Sequence, residues 1–372
     1  MKVLFFIIDD NGGIFHYTSM LANAVSDKVE VTIVAPKNCK LGNISQNVQI
    51  ERVLETPVGF NLKKILFSCG NMSIVNKIHP DVIHITTAYP LTNFILRFFF
   101  KYPIVITVHD PISHKGETRN NWRSFLANMS EKLLLSRCDR MIVHGNILKQ
   151  DMIINNRTFT NKISVIPHGD YSFFTKYKEN KESIKNSILF FGRIVDYKGL
   201  NYLIRSIPLI VKEIPDVKLT IAGEGDISKY KESIKKNIDH IIVKNSYISD
   251  KDVATLFEST QLLILPYIEA TQSGPLHIAC AFKKPVVATN VGALQETVEN
   301  GQTGIIVPHS NVNALAEAII GLLKNDKLRY NMGENAYKKM KEDMSWDKIA
   351  NDTIDVYKKV IISHSCDKNS EI

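Results

Sequence analysis

ILFFGRIVDYKGLNYLIRSI, residues 188–207, contains an apolar run of four, a loop bounded by Gly192 and Gly199, and apolar residues at helical spacing (Leu200, Leu203, Ile204, Ile207). That order predicts a buried strand, a tight turn and an amphipathic helix. The same alternation recurs along the chain. Strands are expected at Val3–Ile8, Val29–Val34, Val82–Ile85, Ile104–Val108, Arg140–Val143 and Ile163–Ile166 in the first half. In the second half they fall at Ile188–Phe191, Val217–Ala222, Ile241–Lys244, Leu262–Leu265, Pro285–Ala288 and Gly304–Val307. Short apolar strands separated by helical stretches are the pattern of an α/β protein with parallel sheets.

A chain of 372 residues exceeds one comfortable core and fits two domains. The polar stretch Asp170–Asn186 has linker composition and places the seam, giving domains at 1–172 and 187–346. Apolar residues at 44% and charged residues at 23% suit a folded chain and exclude global disorder. Met1-Lys2 opens like a signal peptide, but its apolar run stops at Asp9-Asp10, as a buried strand does. Phe94–Phe100 carries Arg97 and is too short to span a bilayer. The five cysteines (Cys39, Cys69, Cys138, Cys280, Cys366) are scattered, which fits a reducing, cytoplasmic setting. No Asp, His or Cys cluster in the sequence looks like a metal site, so no metal is expected.

The net charge of +8 is uneven: residues 1–180 hold 21 Lys and Arg against 14 Asp and Glu, the remainder 25 against 24. A basic first half suits solubility, an acidic substrate, nucleic acid or an anionic membrane face. In the segment Asn61–Phe67, a helix would set Leu62, Ile65 and Leu66 beside Lys63 and Lys64, the composition of an interfacial helix or of one packed on a sheet.

Four segments can carry chemistry. Gly12 and Gly13 follow the first strand, where backbone N–H groups and a helix N-terminus favour an anion; the dinucleotide fingerprint G-x-G-x-x-G is absent. Arg193 and Lys198 lie five residues apart after the strand Ile188–Phe191, where open α/β sheets bind ligands, and both suit a diphosphate. In PYIEATQSGPLHIA, residues 266–279, Ser273 can cap a helix that has Pro275 in its first turn, and Glu269 offers a carboxylate to hydroxyls. His277 suits core packing or a ligand. His109-Asp110 ends the strand Ile104–Val108; His144, His168 and the remaining histidines read as structural.

Together these segments resemble the large family of retaining glycosyltransferases of GT-B fold, the group 1 or family 4 type that includes enzymes of bacterial cell-envelope assembly. The matching pieces are GGIFHYTSMLANAV, VITVHD, DRMIVHGNILKQDMI, ISVIPHGD, FFGRIVDYKGLNYLI, VKLTIAGEGD, LFESTQLLILPYIEATQSG, KKPVVATNVGALQETVENGQTGIIVP and SWDKIA, in order over about residues 1–350. The resemblance implies two Rossmann-like domains with parallel sheets facing a cleft, and a final helix (347–372) returning to the first domain. It implies acceptor binding mainly in the first domain and nucleotide-sugar binding mainly in the second. By the same resemblance Gly12 and Gly13 lie beside the donor phosphates, His109 lies near the transferred sugar, and Arg193 and Lys198 hold the diphosphate. The family's second glutamate, which contacts the ribose, aligns with Ile278, and its first falls on Ala270, one residue past Glu269. A branch of the family has a similar ATQSG segment, in which Thr271, Ser273 and Gly274 take up part of the donor binding.

The implied reaction is metal-independent transfer of a sugar from a nucleotide-sugar, a substrate and not a cofactor, to a saccharide or lipid-linked acceptor. Retention can proceed through a carboxylate-bound intermediate or by same-face attack. The implied setting is polysaccharide or envelope synthesis in the cytoplasm with no nucleic-acid partner, and the basic first half with the segment Asn61–Phe67 adds an expectation of peripheral docking on an anionic membrane. Two other classes fit the architecture: a non-catalytic partner subunit of a transferase, and a nucleotide-sugar epimerase, for which a convincing set of acid/base carboxylates is missing.

Overall fold

The computed structural model describes residues 1–7, 12–39, 41–54, 73–86, 101–109, 129, 132 and 134–370. Asn61–Phe67, Phe94–Phe100, Asp10, Asn11 and Asp110 lie outside the described residues. The chain divides into two compact units. The first holds the described residues up to Gly169 and again from Ser345, and the second runs from Asp170 to Met344.

The first unit is built on β1 (Lys2–Phe6), β2 (Glu30–Pro36), β3 (Val48–Leu54), β4 (Val82–Ile85), β5 (Ile104–Thr107), β6 (Arg140–Val143) and β7 (Ile163–Val165). They form one parallel sheet in the order β3-β2-β1-β4-β5-β6-β7. Every residue of β4 and β5 is buried, as expected of central strands covered on both faces. The helix Gly12–Ser26 follows β1 and buries Tyr17, Leu21 and Val25. The long helix Trp346–Ser370 packs against it through Ile349, Ala350, Tyr357 and Val360, recurring at the spacing that puts one stripe on the core.

One buried contact ties that helix to the sheet. His84 on β4 shares its Nδ1 with the Tyr357 hydroxyl at 2.6 Å and its Nε2 with the Thr107 hydroxyl of β5 at 2.8 Å. Burial first, then coulombic coupling to the nearby His109, pushes the His84 pKa from 6.5 down to about 3, so the ring stays neutral. Tyr357→Phe strands one buried ring nitrogen and is expected to cost about 1–3 kcal/mol in denaturant unfolding. Stability contributed by the neutral ring is full above pH 6.5 and falls as pH drops toward 3, because the unfolded chain takes up the proton first. Unchanged unfolding of Tyr357→Phe at pH 7 would count against this contact.

The second unit carries β8 (Ser187–Phe191), β9 (Lys218–Ala222), β10 (Ile241–Lys244), β11 (Leu262–Leu265), β12 (Val286–Thr289) and β13 (Gly304–Val307). They form a second parallel sheet in the order β10-β9-β8-β11-β12-β13. The helix Leu200–Glu213 buries Leu200, Leu203, Ile204 and Ile207, the four apolar residues whose spacing announces it. These pack with Leu315, Ile319 and Leu322 of the helix Val312–Leu323. The polar-looking stretch after Gly169 is not a bare linker: Tyr171 and Phe174 enter the core of this unit. The Glu258 carboxylate then holds the following backbone, accepting from the N–H groups of Glu179 at 3.0 Å and Lys181 at 3.1 Å.

Both sheets are Rossmann-like, and in both the chain reverses its direction of travel beside the first strand, at β1/β4 and at β8/β11. Open α/β sheets bind ligands outside the carboxyl ends of strands at such a reversal. Among the described residues no helix is long and apolar enough to cross a membrane.

Candidate active site

In the second unit the loops after β8 and β11 are locked together. The Tyr197 carbonyl accepts from Ile268 N–H at 2.7 Å and Glu269 N–H at 3.4 Å. Gly199 closes the first loop with φ +65, and a methyl there would overlap the Pro266 carbonyl. Only glycine combines that left-handed conformation with that approach. The loop after β12 presses in as well: a methyl on Gly292 would overlap the Ala270 carbonyl.

These contacts place Lys198 below the surface, 9% exposed, in a short 3₁₀ turn, Asp196–Lys198. Its ammonium stands 5.4 Å from the centroid of the Tyr267 ring, an arrangement in which the ring face attracts the cation. The same ammonium fills the space above Gly192, where a Cβ would come within 2.6 Å of Nζ and 3.8 Å of the Pro275 ring. Lys198 therefore lies near the start of the helix Gly274–Ala281, whose N-terminal N–H groups favour an anion. Arg193 is on the same loop but exposed.

Glu269 is half-buried on the β11 loop, and Thr271 and Ser273 are buried there. Ser273 occupies the N-cap position, with Pro275 in the first turn, as the sequence suggests. Its hydroxyl, however, makes no cap bond; it lies 3.4 Å from the Tyr267 hydroxyl. Tyr267 is buried, and desolvation pushes its pKa up to about 12 against the opposing pull of the Ser273 hydrogen bond. The phenol stays protonated and supports both Lys198 and Ser273. Ile278, at the position of the family's second glutamate, is 4% exposed and packs into the core of the unit. His277 is buried on the same helix, near the Tyr171 ring.

In the first unit, Gly12 opens the helix after β1 with φ +83, and Gly13 follows it; both are exposed. Tyr17, one turn further on, packs edge-on against His109, the centroids 4.7 Å apart. The glycine turn and His109 thus share one end of the sheet, beyond the carboxyl ends of β1 and β5. His144 and His168, read from sequence as structural, stand with His109 around Tyr17 at 5.1 and 5.0 Å. The signal for them was an apolar strand ending in histidine three times running, at Val108-His109, Val143-His144 and Ile166-Pro167-His168. Among the described residues no group of three or more His, Cys, Asp or Glu side chains is placed to hold a metal ion.

Residues 11–169 match the model of glycosyltransferase family 4, and residues 185–325 match that of the group 1 glycosyl transferases. An uncharacterized glycosyltransferase of Methanocaldococcus jannaschii is 28% identical over 75% of this chain and 75% of its own. A phosphatidyl-myo-inositol mannosyltransferase of Mycobacterium leprae is 25% identical over 96% of each. Among solved structures, sucrose-phosphate synthase of Thermosynechococcus elongatus superposes with a TM-score of 0.79 at 19% identity, covering 97% of this chain and 99% of that one. The Anabaena protein HepE in complex with UDP-glucose gives 0.71 at 16% identity, covering 96% and 100%. With a sheet order in each unit that repeats one Rossmann-like plan, and family models covering both, the chain belongs to the group 1, family 4 glycosyltransferases of GT-B fold.

Proposed function

We propose that the protein transfers a sugar, with retention of anomeric configuration, from a nucleoside-diphosphate donor bound by the second unit. The observation that carries this is Lys198: a buried ammonium fixed by Tyr267 and Gly192 at the carboxyl end of β8, beside the helix start at Gly274. Burying an ammonium is costly, and one held rigidly beside a helix N-terminus is preorganised to stabilise a negative group. As the sugar leaves its diphosphate, negative charge grows on the phosphate oxygens. Lys198, Arg193 and the N–H groups of the helix Gly274–Ala281 offset that charge. Glu269 accepts from hydroxyls of the transferred sugar, and Thr271, Ser273 and Gly274 hold the donor where Ile278 cannot. Gly12 and Gly13 offer N–H groups to the phosphates, and His109 orients the sugar.

These cations make a metal ion dispensable, so turnover is expected to survive a chelator. HepE, solved with UDP-glucose, supports a nucleotide-sugar donor, and the phosphatidyl-myo-inositol mannosyltransferase supports a lipid-linked acceptor. The basic first half then suits docking on anionic membrane. The test is a thermal-shift screen of the purified chain against nucleoside diphosphates and their sugars. It is followed by donor turnover with and without EDTA, and by co-sedimentation with anionic and neutral vesicles. Stabilisation by one diphosphate and turnover of its sugar are expected. Binding without turnover or hydrolysis favours the non-catalytic partner instead, and loss of turnover in EDTA removes metal independence.

A further inference from the structure

β5, β6 and β7 each deliver a histidine just beyond their carboxyl ends, and two of the rings are linked. His144 Nδ1 lies 3.0 Å from the Ile166 carbonyl oxygen. A carbonyl only accepts, so Nδ1 of His144 carries the proton. In a neutral imidazole the other nitrogen is then an acceptor. His144 is buried, its ring held between those of Tyr17 and His168, where a charge would be costly. Its Nε2 stands 3.2 Å from Nδ1 of His109, and so it accepts from that nitrogen.

We propose that His144 is a positioning residue for sugar transfer. Through the chain Ile166 carbonyl–His144–His109 it fixes the His109 ring as the Nδ1–H tautomer, leaving Nε2 as the nitrogen that accepts a hydrogen bond from a hydroxyl of the transferred sugar. The last clause rests on the sugar-facing role of His109 proposed above; the tautomer does not. The arrangement is the logic by which a backbone carbonyl sets the tautomer of a functional histidine, extended by one ring.

Long-range 1H–15N correlation spectra of the full chain with 15N-labelled histidine read the tautomer directly, without substrate. The expected wild-type signature for His109 is a protonated Nδ1 and an unprotonated Nε2. His144→Phe keeps an aromatic ring against Tyr17 but removes both hydrogen bonds, and His144→Gln restores an acceptor. In His144→Phe, His109 is expected to leave the Nδ1–H form. kcat is expected to fall about tenfold, with donor KM within about twofold, since orientation and not binding is lost. His144→Gln is expected to recover most of the rate. An Nε2–H tautomer in the wild type overturns the proposal even where a variant fails to fold, and so does an unchanged His109 signature in His144→Phe. If the tautomer is as expected but His109→Ala turns over at the wild-type rate, the sugar-facing role fails and the tautomer assignment stands.

Discussion

Lys198→Met is expected to weaken binding of the preferred nucleoside diphosphate by about 10- to 150-fold, the equivalent of one charge-assisted hydrogen bond at roughly 1.5–3 kcal/mol. The upper part of that range is expected because the ammonium is already in place. Tyr267 and Gly192 confine it, so little side-chain freedom remains to be lost on binding. Methionine keeps the apolar stem and removes only the charge, so melting should stay within a few degrees of the wild type or rise. Arg193 is exposed, where water screens its charge, so Arg193→Ala is expected at the lower end, about tenfold. Titration calorimetry on both variants gives the comparison. Wild-type affinity in both would withdraw the diphosphate site.

Gly199→Ala is expected to be among the most destabilising single substitutions in the second unit. Two costs coincide there: the left-handed backbone, about 1–2 kcal/mol for an L-residue, and overlap with the Pro266 carbonyl, which forces the β8 and β11 loops apart at about 1–3 kcal/mol more. Gly301 is the natural control. Its φ is +80, but an added Cβ meets nothing within 4 Å, so Gly301→Ala carries only the conformational cost. Calorimetric melting should therefore rank Gly199→Ala below Gly301→Ala by several degrees. Because Tyr197 bridges to Ile268 and Glu269, the Gly199 variant should also lose diphosphate affinity, whereas the Gly301 variant should not. Equal melting of the two would mean that the loops yield without strain.

The sheets were legible because their central strands are short, continuous apolar runs; β4 and β11 match their expected limits residue for residue. β3, Val48–Leu54, escaped because it is an edge strand in which Gln49, Glu51 and Arg52 interrupt the apolar run. The site was legible as positions but not as roles. Arg193 and Lys198 look alike in sequence, yet only the fold separates a buried ammonium from an exposed guanidinium. Ser273 was expected to cap a helix; proximity to the Tyr267 hydroxyl draws its side chain elsewhere, and that proximity follows from the turn between them. The Tyr17 cluster was hidden because its histidines lie 35 and 24 residues apart in sequence and converge only once three strands pair.

The return of the helix Trp346–Ser370 to the first unit sets the order in which the protein can be made. Residues 170–344 form the second unit in one unbroken run, and all its core strands are present once Val307 has been synthesised. The first unit begins earlier but finishes later. Leu21 and Val25 have their final cover only after Ile349, Tyr357 and Val360 have been added. Domains usually mature in the order of synthesis. Here the nascent first unit must wait, with an apolar helix face open, while the unit behind it closes, and a ribosome that stops at Met344 releases one finished unit and one that cannot finish.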